Sequence, residues 1–518
     1  MSSDAVAELR AAKPTLLFIR HPLTGGLLHQ LWEQPYITSF QHRFNVILVE
    51  EDCDLSALCD RHAPDLIVFR GAYSAPHRRI TVANAHSNRH IPRVALALPD
   101  CFCTSRIANF QDMEAWGCDV WLAPTSFAEH APEAASRAFG MPLVFDDQMC
   151  VDHGFERDIP IWTVGALTQD RPWRVRTVGN LNARFPDQVQ SSPHPGYGRE
   201  VKNGLVGADF FRTMARARFS LTDGTIFHAV VRKHLEIPAC GTVLLAEPME
   251  CMPEYGFVDM ENCVLDDGEA LMDKVALLLK DEDRRRAVAR AGHDLVHSRH
   301  AASKSDFLYN WFMAWRALRP GQTLVQHGLF GPYEAVSDGR QGLISSYTWA
   351  PDLLSRMINQ AEQDYARGDY DAAAIQAQAA LDIRIEHAPA RFLLNRILLR
   401  RGRAAEVIQP HVGLFQFNFS RTYYATPEPD PVELAWWVFA HVCNRQLDLA
   451  EALLNTFPNI RHAELRRVAW LVSSLKGRAA PLPAAALPDD RPSVMHTTAP
   501  SFSNWMAEIL PLLNLHWN

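Results

Sequence analysis

The chain has 518 residues, enough for two to four domains, and its hydrophobic and charged fractions, 47% and 21%, are those of ordinary globular proteins. Its formal net charge of −8 argues against a general affinity for nucleic acid, although a local basic cleft remains compatible with it. The 10 cysteines contain no C-x-x-C pair, which predicts neither a zinc ribbon nor a disulfide framework. We therefore expect free thiols in a reducing compartment.

The first residues of the chain carry an early acid and only a short apolar run, so they predict no signal peptide. Apolar stretches elsewhere are too short to span a membrane. We therefore expect a cytoplasmic protein that is not transmembrane and does not bind nucleic acid.

The first 155 residues alternate short apolar runs with helical segments. The predicted strands are Thr15–Ile19, Asn45–Val49, Leu66–Phe69, Val94–Leu98, Val120–Leu122 and Leu143–Phe145. This rhythm is typical of a doubly wound parallel sheet, in which ligands lie beyond the carboxyl ends of the strands. His21 and Asp100 follow two of these strands directly, where they could act in catalysis or could only cap the next helix.

A second series of strands and helices runs from Ile161–Val164 to about residue 318. At its centre, Phe219–Glu247 reads as strand, loop, helix and strand, which is a parallel crossover unit. The helix is predicted from about Ile226 to about Cys240, ending on a glycine suited to a left-handed cap.

This predicted helix carries an unusual amount of charge. His228, Arg232 and Glu236 are spaced four residues apart and would share one face, with Lys233 at its border. The alternative is a solvated face with one ion pair, and spacing alone does not choose between the two.

The run Lys233–Gly241, KHLEIPACG, resembles the signature R-x-F-E-I-P-A-C-G of the CgeB-like glycosyltransferases, which are akin to the large group 1 family. The segments Arg171–Arg174 and Asp281–Gly292 resemble further patterns of that family. The resemblance implies a GT-B fold, with two Rossmann-like domains facing a cleft: residues 1–155 for the acceptor and 156–318 for the nucleotide-sugar donor. It covers residues 160–315 well and the first 155 poorly.

The resemblance also implies roles for individual residues. Glu236 matches the second glutamate of the E-x7-E signature, which binds the ribose of the donor, whereas His228 stands where the first glutamate is expected. Lys233, Arg232 and Arg174 could neutralise the diphosphate without a metal or other cofactor. The loop that holds Gly224 and Thr225 would direct helix N–H groups toward the same ligand.

A catalytic base, if the reaction inverts, should come from the N-terminal domain across the cleft. The candidates are His21, His29 and Asp100, since histidine and carboxylate side chains can accept a hydroxyl proton. Lone histidines are more often structural, so each of these three is weighed against a structural role.

Beyond residue 318 the pattern changes. Residues 319–350 contain proline and several glycines without periodicity and are predicted to be a linker or a packed loop. Residues 351–480 are helical and include one recognisable 34-residue tetratricopeptide (TPR)-like unit, from Ala361 to about Ala405. Residues 481–518 are predicted to form a loop and a last helix.

The function that these patterns favour is transfer of a sugar from a UDP-, GDP- or dTDP-linked donor to a protein or glycan acceptor. The helical repeats could bind a protein partner, because helical solenoids form extended concave surfaces. One alternative is a scaffold whose GT-B half has lost catalysis, which His228 and Lys233 would explain. Another is a different GT-B enzyme, such as a sugar-phosphate epimerase.

Overall fold

The computed structural model of the chain describes residues 13–22, 27–71, 80–97, 105–123, 137–195, 204–344, 353–385, 387–408, 429–487, 490–493, 495 and 499–517. Within these ranges the chain forms two parallel α/β domains, a small three-stranded sheet and a helical segment.

The N-terminal domain is built on a parallel sheet of order β2–β1–β4–β6–β7–β8. Its strands are β1 (Thr15–Arg20), β2 (Asn45–Val49), β4 (Leu66–Arg70), β6 (Arg93–Leu96), β7 (Val120–Ala123) and β8 (Ala138–Gly140). Two short strands, β3 (Cys53–Asp54) and β5 (Val82–Ala83), pair beside it. The helices are α1 (Leu27–Arg43), α2 (Leu55–His62) and α3 (Ser105–Ala115).

Five of the six strands predicted in this half are confirmed, because continuous apolar runs are what a sheet covered on both faces requires. The prediction of a strand at Leu143–Phe145 is wrong. The sixth strand is β8, and Phe145 makes only an isolated bridge to Ala301. The apolar run at residues 143–145 therefore predicted burial in the core correctly but not pairing in the sheet.

The C-terminal domain holds a second parallel sheet, of order β10–β9–β11–β12–β13. Its strands are β9 (Ile159–Val164), β10 (Val189–Ser192), β11 (Ala217–Thr222), β12 (Val243–Ala246) and β13 (Val264–Leu265). Its helices are α4 (Pro172–Arg184), α5 (Gly207–Arg216), α6 (Lys233–Ala239), α7 (Glu269–Lys280) and α8 (Glu282–Arg299). Two facing parallel α/β domains are the GT-B arrangement predicted from the sequence.

After α8 the chain returns to the N-terminal domain. The next helix, α9 (Phe307–Arg316), packs with Phe18 and Phe40 against one face of the first sheet, so this helix belongs to the core of the N-terminal domain. The segment predicted to be a linker instead contains β14 (Thr323–His327), β15 (Tyr333–Val336) and β16 (Gly342–Ile344). The side chain of Gln326 joins this sheet to the backbone of Gly140, at the edge strand β8.

The remaining helices are α10 (Leu353–Ala366), α11 (Tyr370–Ile383), α12 (Ala388–Arg400), α13 (Pro431–Cys443), α14 (Leu447–Thr456), α15 (Ala463–Leu475) and α16 (Phe502–Trp517). Gly368, at φ +83°, and Asp369, which caps α11, turn the chain between α10 and α11. These helices provide the all-helical C-terminal region that the sequence predicted.

The helical segment and the N-terminal sheet share one apolar core. Alternate residues of β1 point to opposite faces, and Leu17 and Ile19 fall in the same cluster of buried side chains as residues of α12 to α16. Every residue of α13 is buried. Arg491 also donates to Glu114 of α3, at 2.7 Å. The later helices therefore cover one face of the first sheet and are not a separate appendage.

Candidate functional site

The crossover from β11 to β12 is broken in the middle. After Thr222 the chain forms a single 3-10 turn, Thr225–Phe227, and helix α6 begins only at Lys233. Thr225 and His228 have positive φ angles, 60° and 50°, which end a right-handed turn. The prediction of one helix from Ile226 to Cys240, with His228, Arg232 and Glu236 on one face, is therefore wrong.

A cluster of cations lies at the carboxyl end of β9 and β11. Arg174 Nη2 and Arg171 Nη1 both donate to Asp223 Oδ1, at 2.5 and 3.1 Å, and the Arg174 and Asp223 side chains are almost fully buried. Lys233 Nζ donates to the carbonyl oxygen of Val164 at 3.0 Å. Two guanidinium groups thus share one carboxylate, with a lysine side chain beside them.

Gly165 is what lets these cations meet. It follows β9 with φ +119°, and a Cβ at this position would collide with Arg174 Nη1 and Lys233 Nζ. The glycine therefore allows two cationic side chains to pack against the backbone at the end of the strand.

Two titratable groups in or near this cluster, Lys233 and His194, have lowered pKa values. Burial, followed by the charges of Arg174 and Arg171, holds the pKa of Lys233 well below its ordinary value. Burial, followed by the charges of Lys233, Arg171 and Arg174, lowers the pKa of His194 to about 4. A bound anion would offset the part of each pKa shift that comes from the neighbouring positive charges, so the arrangement suits a phosphate or diphosphate group.

Glu236 lies one helical turn beyond this cluster, on α6. Burial raises the pKa of its carboxyl group, and the charges of Arg232 and Lys233 oppose that rise. Its side chain is partly exposed and makes no hydrogen bond or ion pair with any residue in the described ranges. A carboxylate in this state can accept hydrogen bonds from the hydroxyl groups of a ligand.

Arg232 points toward the other domain. Its guanidinium lies over the ring of Tyr36, and Nη1 donates to the carbonyl oxygen of Leu31 at 3.3 Å; both partners belong to α1. Helix α1 follows β1, and Arg232 lies in the loop after β11. The loop after β11 therefore contacts the helix that follows β1.

Glu247 belongs to the site and was missed in the sequence. It follows β12, where Oε2 accepts a hydrogen bond from the N–H of Gly224 at 3.2 Å, and Oε1 lies 3.7 Å from His228 Nε2. Burial raises the pKa of its carboxyl group to about 7. The sequence did offer a signal for this residue, because Glu247 directly follows a buried parallel strand. Polar residues in the same position after other strands, such as His21 and Asp100, were selected as candidates for that reason.

Gly224 and Thr225 shape the loop that Glu247 holds. A Cβ on Gly224 would collide with the sulfur of Met249, and the N–H of Phe227 donates to Thr225 Oγ1 at 3.2 Å. In the described structure these residues order the loop through bonds within the protein.

Of the three catalytic candidates, His21 is the one whose side chain the structure describes. His21 is buried, its Nδ1 accepts the N–H of Ile80 at 3.0 Å, and Nε2 therefore donates to Asp112 at 2.9 Å, which engages both ring nitrogens. Asp100 lies outside the described residues. His29 lies in α1 at a position whose side chain is also outside the description.

Residues 161–305 match the model of the family described as "Glycosyl transferase-like". This segment is a glycosyltransferase-like domain, and it contains all of the donor-binding residues predicted from the sequence, from Arg174 to Glu236. The match leaves the N-terminal sheet and the C-terminal helices outside it. No curated protein matches the chain in sequence.

Several solved structures are similar to part of the chain. Sucrose-phosphate synthase (tll1590) from Thermosynechococcus elongatus has a TM-score of 0.39 and 10% identity, and the match covers 58% of this chain and 100% of that one. Anabaena Alr3699/HepE, solved in complex with UDP, has a TM-score of 0.36, 12% identity and the same coverage. A glycosyltransferase from Rickettsia africae ESF-5 has a TM-score of 0.38 and 10% identity, covering 58% of this chain and 99% of that one. Likeness of this degree assigns no activity to the chain.

In the part of the chain that the structure describes, no three His, Cys, Asp or Glu side chains are grouped so that they could hold a metal ion. No described helix is both long and apolar enough to cross a membrane. The cysteines within the described ranges are free thiols.

Proposed function

We propose that the chain transfers a sugar from a nucleotide-sugar donor to a protein or glycan acceptor. The observation that carries the proposal is the pairing of Glu236 with the cation cluster. A carboxylate with no described partner lies one turn from a cluster of Lys233, Arg171 and Arg174, in which burial, followed by the charges of the two arginines, lowers the pKa of Lys233. The ribose hydroxyl groups of a nucleoside diphosphate can donate hydrogen bonds to the Glu236 carboxylate. Its phosphate groups carry negative charge that can balance the cation cluster.

In this proposal Glu236 accepts hydrogen bonds from the ribose, and Lys233 lies beside the diphosphate leaving group with Arg174 and Arg171. Positive charge placed where the leaving group develops negative charge stabilises the transition state. These cations supply that charge without a bound metal, so we expect turnover to continue in the presence of a chelator.

Glu247 could compensate for the residue that departs from the family pattern. His228 occupies the position at which the resemblance expects the first glutamate. The carboxylate of Glu247 lies 3.7 Å from His228 Nε2, so a glutamate side chain is still present beside that position. This supports an active enzyme over the alternative of a scaffold that has lost catalysis. The catalytic base stays unassigned, because His21 has both ring nitrogens engaged.

The experiment that tests the proposal is a screen of the full chain against UDP-, GDP-, CMP- and dTDP-sugars. Thermal shift identifies the donor that binds, and release of its nucleotide, UDP, GDP or dTDP as the diphosphate and CMP as the monophosphate, measures turnover. We expect one nucleotide class to raise the melting temperature and to be hydrolysed slowly without acceptor. Binding without turnover in the presence of cell-derived acceptors would favour the scaffold, and no binding by any donor would refute the proposal.

The remaining assignments belong to the same proposal. We place the protein in the cytoplasm, as its free thiols and the cytoplasmic supply of nucleotide sugars suggest. We assign α10 to α12 to a TPR-like repeat, whose exposed surface would bind a protein partner or acceptor.

A further inference from the structure

The 3-10 turn of the candidate donor loop is buried against the C-terminal helices. Ile226 is 1% exposed and Phe227 is 8% exposed. Both side chains belong to a cluster with Leu354 and Ile358 of α10 and with small residues of α11, and not to either core of their own domain. The guanidinium carbon of Arg384, just after α11, lies 6.0 Å from the centre of the Phe227 ring.

The backbone of this turn needs such support. Thr225 and His228, which bracket Ile226 and Phe227, both have left-handed φ angles that residues with a Cβ rarely adopt. Conformations of this kind persist only where the surrounding structure holds them. The two apolar side chains between them are the part of the loop that the helices bury.

The same turn is connected to the charged groups of the site. The N–H of Ile226 donates to the carbonyl oxygen of Asp170 at 3.1 Å, directly before Arg171 of the cation cluster. On the other side of the turn, the N–H of Gly224 donates to Glu247. A shift of the turn would therefore move groups on both sides of the proposed diphosphate position.

We propose that the helical hairpin α10–α11 positions the donor loop, with Ile226 and Phe227 as its anchors, so that nucleotide affinity depends on the C-terminal helices. Ile358, Leu354 and the anchors are positioning residues, since none of them touches the proposed ligand. A partner that binds the hairpin and shifts α10 would then change donor affinity. This inference rests on the proposed function for its ligand, but not for the coupling between the hairpin and the loop.

The test compares two identical substitutions in the full chain. Ile358→Ala removes a contact from the cluster that contains the anchors, whereas Ile460→Ala truncates another buried isoleucine, in the core shared with the N-terminal sheet. Amide hydrogen exchange is measured over residues 224–230 without any ligand, and UDP and GDP affinities are measured by calorimetry. Phe227→Ala and the conservative Phe227→Leu test the loop side of the same contact.

We expect Ile358→Ala and Phe227→Ala to speed exchange in the loop at least tenfold and to weaken the binding of the preferred nucleotide about tenfold, as a fall in the competent population to about one tenth would. Phe227→Leu should keep loop exchange and nucleotide affinity close to those of the unaltered chain. Ile460→Ala should lower the melting temperature about as much as Ile358→Ala, while loop exchange and nucleotide affinity stay unchanged. Equal loop exchange in the two isoleucine variants would overturn the inference.

If Ile358→Ala does not fold, Ile358→Val against Ile460→Val provides the same comparison with a smaller change. If the unaltered chain binds neither UDP nor GDP, the donor screen decides whether another nucleotide takes their place or the proposed function fails, while the exchange measurement still decides the coupling.

Discussion

The guanidinium of Arg232 lies over the ring of Tyr36, with its central carbon 5.5 Å from the ring centre. Arg232 belongs to the donor loop of one domain and Tyr36 to helix α1 of the other. Burial raises the pKa of the Tyr36 phenol, and the nearby charge of Arg232 opposes that rise. The pair therefore links the candidate site directly to the N-terminal domain.

A double-mutant cycle tests this link. Arg232→Met and Tyr36→Leu each remove one side of the contact, and a buried cation–π pair is worth about 0.5–2 kcal/mol. We expect the double variant to lose less unfolding free energy than the sum of the two single variants, by a coupling within that range. Urea unfolding measures the three losses, and strictly additive losses would contradict the link.

Lys233 should contribute to binding of the diphosphate and not of the nucleoside. We expect Lys233→Met to weaken the affinity for the preferred nucleoside diphosphate by about 1.5–3 kcal/mol, the range for a hydrogen bond to a charged group. Affinity for the corresponding nucleoside should change little. Lys274→Met, which removes a lysine bonded to Asp259 and Asp266, is the control and should change neither affinity.

The lowered pKa of Lys233 also predicts a pH dependence of binding. A bound diphosphate would raise this pKa, so the complex holds a proton that the free protein lacks between the two pKa values. Affinity should therefore fall as the pH rises through that interval. Calorimetry in buffers with different ionisation heats should detect proton uptake for the unaltered chain, and identical proton uptake in Lys233→Met would assign it elsewhere.

Glu247 should make stability depend on pH in the opposite sense to an ordinary ion-paired carboxylate. Its folded pKa of about 7 lies above the ordinary value of 4.5, so the stabilising contribution of its protonated form is complete below that value and is lost as the pH rises through 7. Glu247→Gln keeps a neutral side chain at all pH values. We expect it to gain about 2 kcal/mol over the unaltered chain between pH 5 and pH 8.5.

Urea unfolding at these two pH values measures that gain. Glu250→Gln, at an exposed position three residues further on, is the control and should show no such difference. A gain for Glu247→Gln that is the same at pH 5 and pH 8.5 would show that the carboxyl group is not protonated in the folded chain at pH 5.

Removal of the C-terminal helices should be destructive. A chain that ends after Ile344 would expose the face of the N-terminal sheet that these helices cover, together with Ile226 and Phe227. We expect the truncated chain to aggregate and to lose nucleotide binding. Size-exclusion chromatography and calorimetry check this, and a soluble monomeric truncation that binds nucleotide as well as the full chain would show that the helices are only an appendage.

Local patterns in the sequence predicted five of the six strands of the first sheet, the crossover strands of the second and the helical end of the chain, because buried parallel strands are continuous apolar runs. They could not predict the break between β11 and α6. That break depends on left-handed φ angles at Thr225 and His228. Threonine and histidine, unlike glycine, do not indicate a left-handed φ angle in the sequence. The shared core of α13 and the N-terminal sheet was also beyond local patterns, since it joins residues some 400 positions apart.

The candidate site was predicted in part, for the same reason. Glu236 and Lys233 came from a contiguous signature, and the structure brings Lys233 close to Arg174, which is distant in sequence. Asp223 and Glu247 were missed because their importance depends on contacts across the sheet edge. The N-terminal candidates stay predictions for Asp100 and His29, whereas His21 is engaged by Asp112.

The most direct test of the central claim is the affinity of the full chain and of Glu236→Gln for the nucleoside diphosphate that the donor screen selects. Glu261→Gln, an exposed substitution in the same domain, is the matched control. If Glu236 binds the ribose, Glu236→Gln should weaken binding by about 1.5–3 kcal/mol, and the 2′,3′-dideoxy form of the nucleotide should bind both proteins almost equally. Unchanged affinity in Glu236→Gln would contradict the assignment of the donor site.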